Sequence, residues 1–366
     1  MSVTVWFHDP TEVDPDSSWT GLVPALTDAD YRDIKKCTIP AVTELFEYAR
    51  PDAVVDVDGQ PVVSIEQTAM NPSGHNLPQR FSCLLKAAEC GVMGVLYHPE
   101  YSRRTFASGD MNPRYANPRV ALAQFRMDNL FVLAPPSLSV FWPTDDATML
   151  PATGRAAQAN MAGIVAAAIE TGGAARLLRV EPAVMEAQSE MRRAIDAYGP
   201  RIGASSSFRD AFPAGLVHAQ TSSGLPVDPP PKAVFIGTPD LLAGIVMRFG
   251  PLTPRGHAAL PRITTLHFKA TANKSRTDSE HPWPGYFALL DILYSRTGAA
   301  RSDRLSNMVY ELPIPLATWV SRMPTRPAAM RIADAIADMV ILEDAVVLGG
   351  ALDAGTAVEV VASRGR

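Results

Sequence analysis

The sequence predicts an α/β protein built as two domains, and three observations carry that expectation. A chain of 366 residues exceeds the size at which a single hydrophobic core keeps growing. Hydrophobic residues make up 47 % and charged residues 19 %, which supports substantial cores and is far from a disordered composition. From residue 28 to residue 97 the patterning runs helix, strand, strand, helix, strand, the alternation of an α/β core.

In chain order, residues 3–7 (VTVWF) read as an edge strand followed by a Pro/Asp/Ser loop. Thr27 or Asp28 can cap a helix reaching to about Arg50, interrupted at Pro40, because Ile34, Val42, Leu45, Phe46 and Tyr48 have helical spacing. Residues 51–68 (PDAVVDVDGQPVVSIEQT) then predict a β-hairpin. Its flanks are short and β-branched, and Asp58-Gly59 suits a type I′ turn, in which both central residues take φ > 0. A turn-rich link over 69–77 leads to a helix over about 78–90, with Pro78 in its first turn and Gly91 as its stop. Residues 92–97 form a further buried strand.

Strands are expected at 130–133 and 137–142 and a helix near 156–171, with a domain boundary at about 180, giving domains 1–180 and 181–366. The second domain is expected to be α/β as well. It has a helix over 182–198, a loop over 199–231, a strand over 233–236 and a helix over 239–247. A strand over 263–269 and helices over 285–295 and 328–341 complete it.

Composition excludes several classes. Cys37, Cys83 and Cys90 are too few and too badly spaced for a disulfide framework or a zinc site. Residues 1–19 lack a basic region followed by an apolar core, so no secretion signal is expected there. No apolar run approaches the ~20 residues that cross a bilayer, and a cytoplasmic location without membrane contact is expected. There is no Gly-x-Gly-x-x-Gly after a strand, no Walker lysine loop, no nucleophile elbow and no His-Glu-x-x-His.

The chemistry is expected in the hairpin. Asp52 opens its first strand and Glu66 lies near the end of its second, so folding the hairpin brings both carboxylates to one end of the sheet. A hard cation such as Mg²⁺ held by one or two carboxylates can activate a water and neutralise anionic charge. Asp52 and Glu66 are the expected metal ligands, with the Gln67 carbonyl as a third. Asp56 and Asp58 are alternate acids, although Asp58 is most simply a turn residue.

Pro51-Asp52 opening one strand and Glu66-Gln67-Thr68 closing the next, followed by a helix and a strand, resembles the PD-(D/E)xK nuclease superfamily, to which many restriction endonucleases belong. The resemblance spans roughly residues 28–98. It implies a restriction-endonuclease-like core, a central mixed sheet flanked by helices, and a Mg²⁺-dependent endonuclease that cuts double-stranded DNA, often as a homodimer. Thr68 stands where the family has lysine and cannot supply an ammonium to orient the water. By analogy with members that recruit a helix residue, Gln79 and Arg80 are expected to face the site, and Lys86 to be solvated; His75 is a loop candidate.

DNA contacts are expected from the basic side chains Arg103, Arg104, Arg114 and Arg119, and from Lys269, Lys274 and Arg276 in the second half, as sequence-independent phosphate clamps. The alternative is a catalytically silent nucleic-acid-binding protein that keeps the nuclease-like fold, an option that the missing lysine at Thr68 keeps open.

Overall fold

The computed structural model describes residues 1–68, 80–99, 101–105, 111–115, 124, 128, 133–145, 151–152, 154–203, 233–249, 264–269, 306–312, 314–321, 337–348 and 359–362. The chain forms two compact units, Met1–Ser205 and Ser206–Arg366.

The first unit is a six-stranded mixed sheet with a separate two-stranded ribbon. The strands of the sheet are β1 (Val3–Phe7), β2 (Asp30–Asp33), β3 (Ala53–Val57), β4 (Gln60–Gln67), β5 (Met93–Pro99) and β8 (Ser137–Trp142), in the order β2-β1-β3-β4-β5-β8. The ribbon is an antiparallel pair, β6 (Tyr101–Thr105) and β7 (Met111–Tyr115). Strands β1, β3 and β4 form an antiparallel meander, whereas β4, β5 and β8 run parallel. The β3–β4 turn has Asp58 at φ 51° and Gly59 at φ 80°, the two positive values that a type I′ turn requires. Asp56 accepts hydrogen bonds from the Trp6 indole and from the Gly59 amide, and Asp58 accepts one from the Ser2 amide, so both acids stabilise the turn end of the hairpin.

Helix α2 (Phe81–Glu89) connects β4 to β5, the crossover that parallel neighbours require. Gly91, at φ 68°, stops it. The helix lies so close to β5 that a Cβ on Gly94 would come within 3.2 Å of Leu84. Alternation along the strands divides the core. Trp6 and Val54 join Ala87 of α2 on one face, while Val5, Val55, Ile65 and Val95 join the other, under helices α3 (Ala159–Glu170) and α5 (Pro182–Gly203). A one-turn helix, α4 (Ala175–Leu178), precedes α5.

Residues 27–50 depart from the expected helix. They form strand β2, the one-turn helix α1 (Pro40–Thr43) and 3₁₀ turns at Ile34–Lys36 and Glu44–Phe46. Pro40 disfavours helical backbone at Ile39, which is extended, and the Asp33 carboxylate closes the preceding turn on the Lys35 amide at 2.9 Å. Ile34, Val42 and Leu45 are nevertheless buried together, so their spacing reflects a shared core and not a single helix. Strand β2 also takes the sheet edge, leaving β1 as an interior strand instead of the expected edge.

Lys86 is buried and not solvated: its ammonium lies 2.8 Å from Glu47, 3.5 Å from Glu44 and 3.9 Å from Glu89. The turns over 44–46 cover this side of α2, which one-dimensional periodicity does not reveal. Leu133, expected in a strand, lies in an exposed turn.

The loop before β2 is tightly filled. A Cβ on Gly21 would stand 1.9 Å from the Pro15 carbonyl oxygen and 2.6 Å from Arg155 Cδ. Gly21→Ala therefore forces backbone displacement and is expected to cost about 1–3 kcal/mol, measurable as a lowered Tm or denaturation midpoint. An unchanged midpoint would show that the loop is free to move.

The second unit also contains a six-stranded sheet. It consists of β9 (Ala233–Gly237), β10 (Thr264–Lys269), β11 (Ser306–Glu311), β12 (Met339–Ile341), β13 (Ala345–Leu348) and β14 (Glu359–Ala362) in sequential order. Strands β10, β11 and β12 are parallel and the other pairings antiparallel. Helix α6 (Thr238–Phe249) follows β9, and α7 (Leu316–Ser321) follows β11. Met339–Ile341, expected to end a helix, is instead buried strand, because a short apolar run fits either period and the neighbouring strands decide it. The helix expected over 285–295 lies outside the described residues. The protein is thus a mixed α/β chain. Among the described residues no helix is long and apolar enough to cross a membrane.

Candidate functional site: a buried acidic pair with an arginine

The meander brings Asp52 and Glu66 together. Asp52 immediately precedes β3 and is tied to both neighbouring strands. Its carbonyl accepts from the His8 amide at 2.8 Å, and its Oδ2 accepts from the Gln67 amide at 2.7 Å. Glu66 lies next to the end of β4 and is only 4 % exposed, on the face opposite Ile65, toward α2. Arg80 stands just before α2 and reaches the pair: its Nη1 donates to Glu66 Oε2 at 3.0 Å and lies 3.7 Å from Asp52 Oδ2. The Arg80 Nε is buried, with no hydrogen-bond partner among the described residues. The Cys83 thiol, one turn into α2, also hydrogen-bonds Glu66.

The electrostatics are dominated by burial. Desolvation, then repulsion from Asp52, pushes the Glu66 carboxyl up to about 8, against the attraction of Arg80. Desolvation also raises Asp52, opposed by Arg80 and the Gln67 amide. Burial works against the Arg80 charge, but Glu66 and Asp52 more than offset it, so its pKa is raised and it stays cationic.

Two further groups bear on the site and escaped the sequence reading. Glu12, in the 3₁₀ turn Pro10–Glu12 after β1, is pushed up to about 7 by burial and then by the charges of Asp52 and Asp9. Buried His98, near the end of β5, is pushed down to about 4, first by burial and also by Arg80. A neutral His98 donates from Nδ1 to the Pro99 carbonyl at 3.0 Å, while its Nε2 lies 3.2 Å from Ser139 Oγ. Neither has a local motif. The turn carrying Glu12 follows β1 beside β3, and His98 lies on β5 beside β4, within reach of the Arg80 charge.

Gln67 and Thr68 are buried, and the Thr68 amide donates to the Tyr97 carbonyl at 2.9 Å, extending the β4–β5 pairing. His75 and Gln79 lie outside the described residues. Arg103 and Arg104 are on β6 and Arg114 on β7, the two strands of the antiparallel ribbon. Lys269 ends β10 in the second unit. Arg119, Lys274 and Arg276 lie outside the described residues.

Chemically, Asp52 and Glu66 set two buried carboxyls against the guanidinium of Arg80, with Glu12 near enough to feel the charge of Asp52, an acidic balance among the described residues that a hard cation would relieve. The oxygen donors suit Mg²⁺ or Mn²⁺ and not a soft metal. Among the described residues no three His, Cys, Asp or Glu side chains converge on one point, so an ion here would take two carboxylates and otherwise backbone or water oxygens. No family model, no curated protein and no solved structure matches the chain.

Proposed function

We propose that the protein is a Mg²⁺-dependent endonuclease hydrolysing DNA phosphodiester bonds in the manner of a type II restriction enzyme. The observation that carries this reading is the buried Asp52–Glu66 pair at one end of a mixed sheet, with Arg80 reaching both acids. The β3–β4 hairpin, α2 and the parallel strand β5 around the pair support this reading, while the helix expected before the hairpin is replaced by a strand and short turns. Asp52 and Glu66, with the Gln67 carbonyl, would hold the cation. When bound, it supplies an acidified water and neutralises charge on the phosphate.

The chain's own groups do the rest. The Gln67 amide fixes the rotamer of Asp52, and the strand fixes Glu66, so the acids need no reorganisation. Arg80 provides the positive charge that Thr68 lacks. The arginines of the β6–β7 ribbon and Lys269 would grip the DNA backbone, and a homodimer would cut both strands.

The test is plasmid and mixed-sequence DNA incubated with wild type and Glu66→Ala, with Mg²⁺ or with chelator. Cleavage by wild type, lost with either change, supports the reading. Cleavage that survives Glu66→Ala or chelation sinks it. One observation favours a second reading, a silent DNA-binding protein: Arg80 already neutralises the pair at 3.0 Å. Salt-sensitive binding without cleavage would select that version.

A further inference from the structure

The two acids and the arginine differ in how they are held. Asp52 is pinned by hydrogen bonds of its backbone and side chain to both neighbouring strands, and Glu66 belongs to a strand paired on both sides. Arg80 stands outside the sheet at the start of α2 and enters the site only through its long side chain, which can change rotamer without breaking any strand pairing. Its grip is partial: Nη1 engages the carboxylates, whereas Nε is buried with no partner among the described residues. A guanidinium fully committed to a structural ion pair would have its donors satisfied.

The place of Nη1 matters. It lies 3.0 Å from Glu66 Oε2 and 3.7 Å from Asp52 Oδ2, bridging one oxygen of each acid. A divalent ion bonded to Glu66 Oε2 at ~2.1 Å would stand at most about 5 Å from that nitrogen, and two desolvated positive charges so close repel strongly. The carboxylate oxygens thus accommodate one cation at a time.

We propose that the Arg80 guanidinium and a divalent metal ion are alternative occupants of the Asp52–Glu66 pair: Arg80 closes the pair in the metal-free protein and swings away when the metal binds. The inference rests on the metal-site reading above and adds to it a built-in competitor that sets metal affinity. It makes Arg80 a positioning residue with two states, in which the charge that keeps the acids tolerable without metal is also the charge that metal must displace.

The test is isothermal titration of the full-length protein with Mn²⁺ in the absence of DNA, comparing wild type, Arg80→Gln, Arg80→Lys and Glu66→Gln, with thermal unfolding of each in chelator. Arg80→Gln is expected to bind Mn²⁺ about tenfold tighter than wild type at the same stoichiometry, because the competing charge is gone. It is also expected to unfold at lower temperature in chelator and to regain that loss with Mn²⁺. Arg80→Lys retains a charge with poorer reach and is expected to fall between the two, so it gives the comparison if Arg80→Gln does not fold. Equal or weaker Mn²⁺ binding by the Arg80 variants, with wild-type binding that Glu66→Gln abolishes, overturns the exchange while leaving the metal site standing. Absence of Mn²⁺ binding in wild type and Arg80 variants alike overturns both.

Discussion

On the proposed endonuclease reading, Asp52→Asn and Glu66→Gln are each expected to lower Mg²⁺-dependent DNA cleavage by about 10³-fold or more, and the double variant to be no slower than the slower single. Both replacements are nearly isosteric. The carboxamide oxygen introduced by Asp52→Asn can still accept from the Gln67 amide, and the one introduced by Glu66→Gln can still accept from Arg80. Packing therefore survives while each substitution removes a negative charge. If the two carboxylates hold one cation, losing either disables the unit, and the second loss finds little left to remove. Losses that multiply in the double variant would mean that the acids act independently. Cleavage within a few-fold of wild type in either single would exclude a shared metal.

In chelator, Glu66→Gln is expected to stabilise the protein increasingly as pH rises. The Glu66 carboxyl lies at about 8 in the folded protein against an ordinary 4.5, so the folded state binds the proton more tightly than the unfolded chain does. Its contribution is fully present below about pH 4.5 and is lost as pH rises through 8. Glu12, pushed up to about 7 from 4.5, acts in the same direction over a narrower window. The glutamine side chain of the Glu66→Gln variant has no such proton to lose. The variant should therefore match wild type near pH 5 and exceed it near pH 9, with each ~1 kcal/mol of difference worth roughly 2–4 °C in Tm for a unit of this size. A Tm difference that stays constant from pH 5 to pH 9, or shrinks, would show that Glu66 is ionised throughout. Saturating Mn²⁺ should abolish the slope, since a bound cation holds the carboxylate ionised.

The sequence by itself determined those features whose physics is local. The β3–β4 hairpin was legible because Asp58-Gly59 meets a requirement for two positive φ values and its flanks are β-branched. The end of α2 was legible in Gly91, and β5 and β8 in short apolar runs. Asp52 and Glu66 could be singled out because a hairpin of known register brings a strand-opening acid beside the strand that ends with the other.

Only the tertiary structure decided the rest. Residues 27–50 and 339–341 carried apolar spacings that fit more than one element, and burial against neighbouring strands chose between them. Lys86 is buried because short turns distant from it in sequence close over α2. Glu12 is brought near Asp52 by β1 pairing with β3, and His98 near Arg80 by β5 pairing with β4, placements that no local signal encodes. Arg80 was expected to face the site only through the family resemblance; its distances to both carboxylates come from the crossover between parallel strands. Charge compensation in a buried site depends on distances between groups far apart in sequence, and those distances exist only once the sheet is assembled.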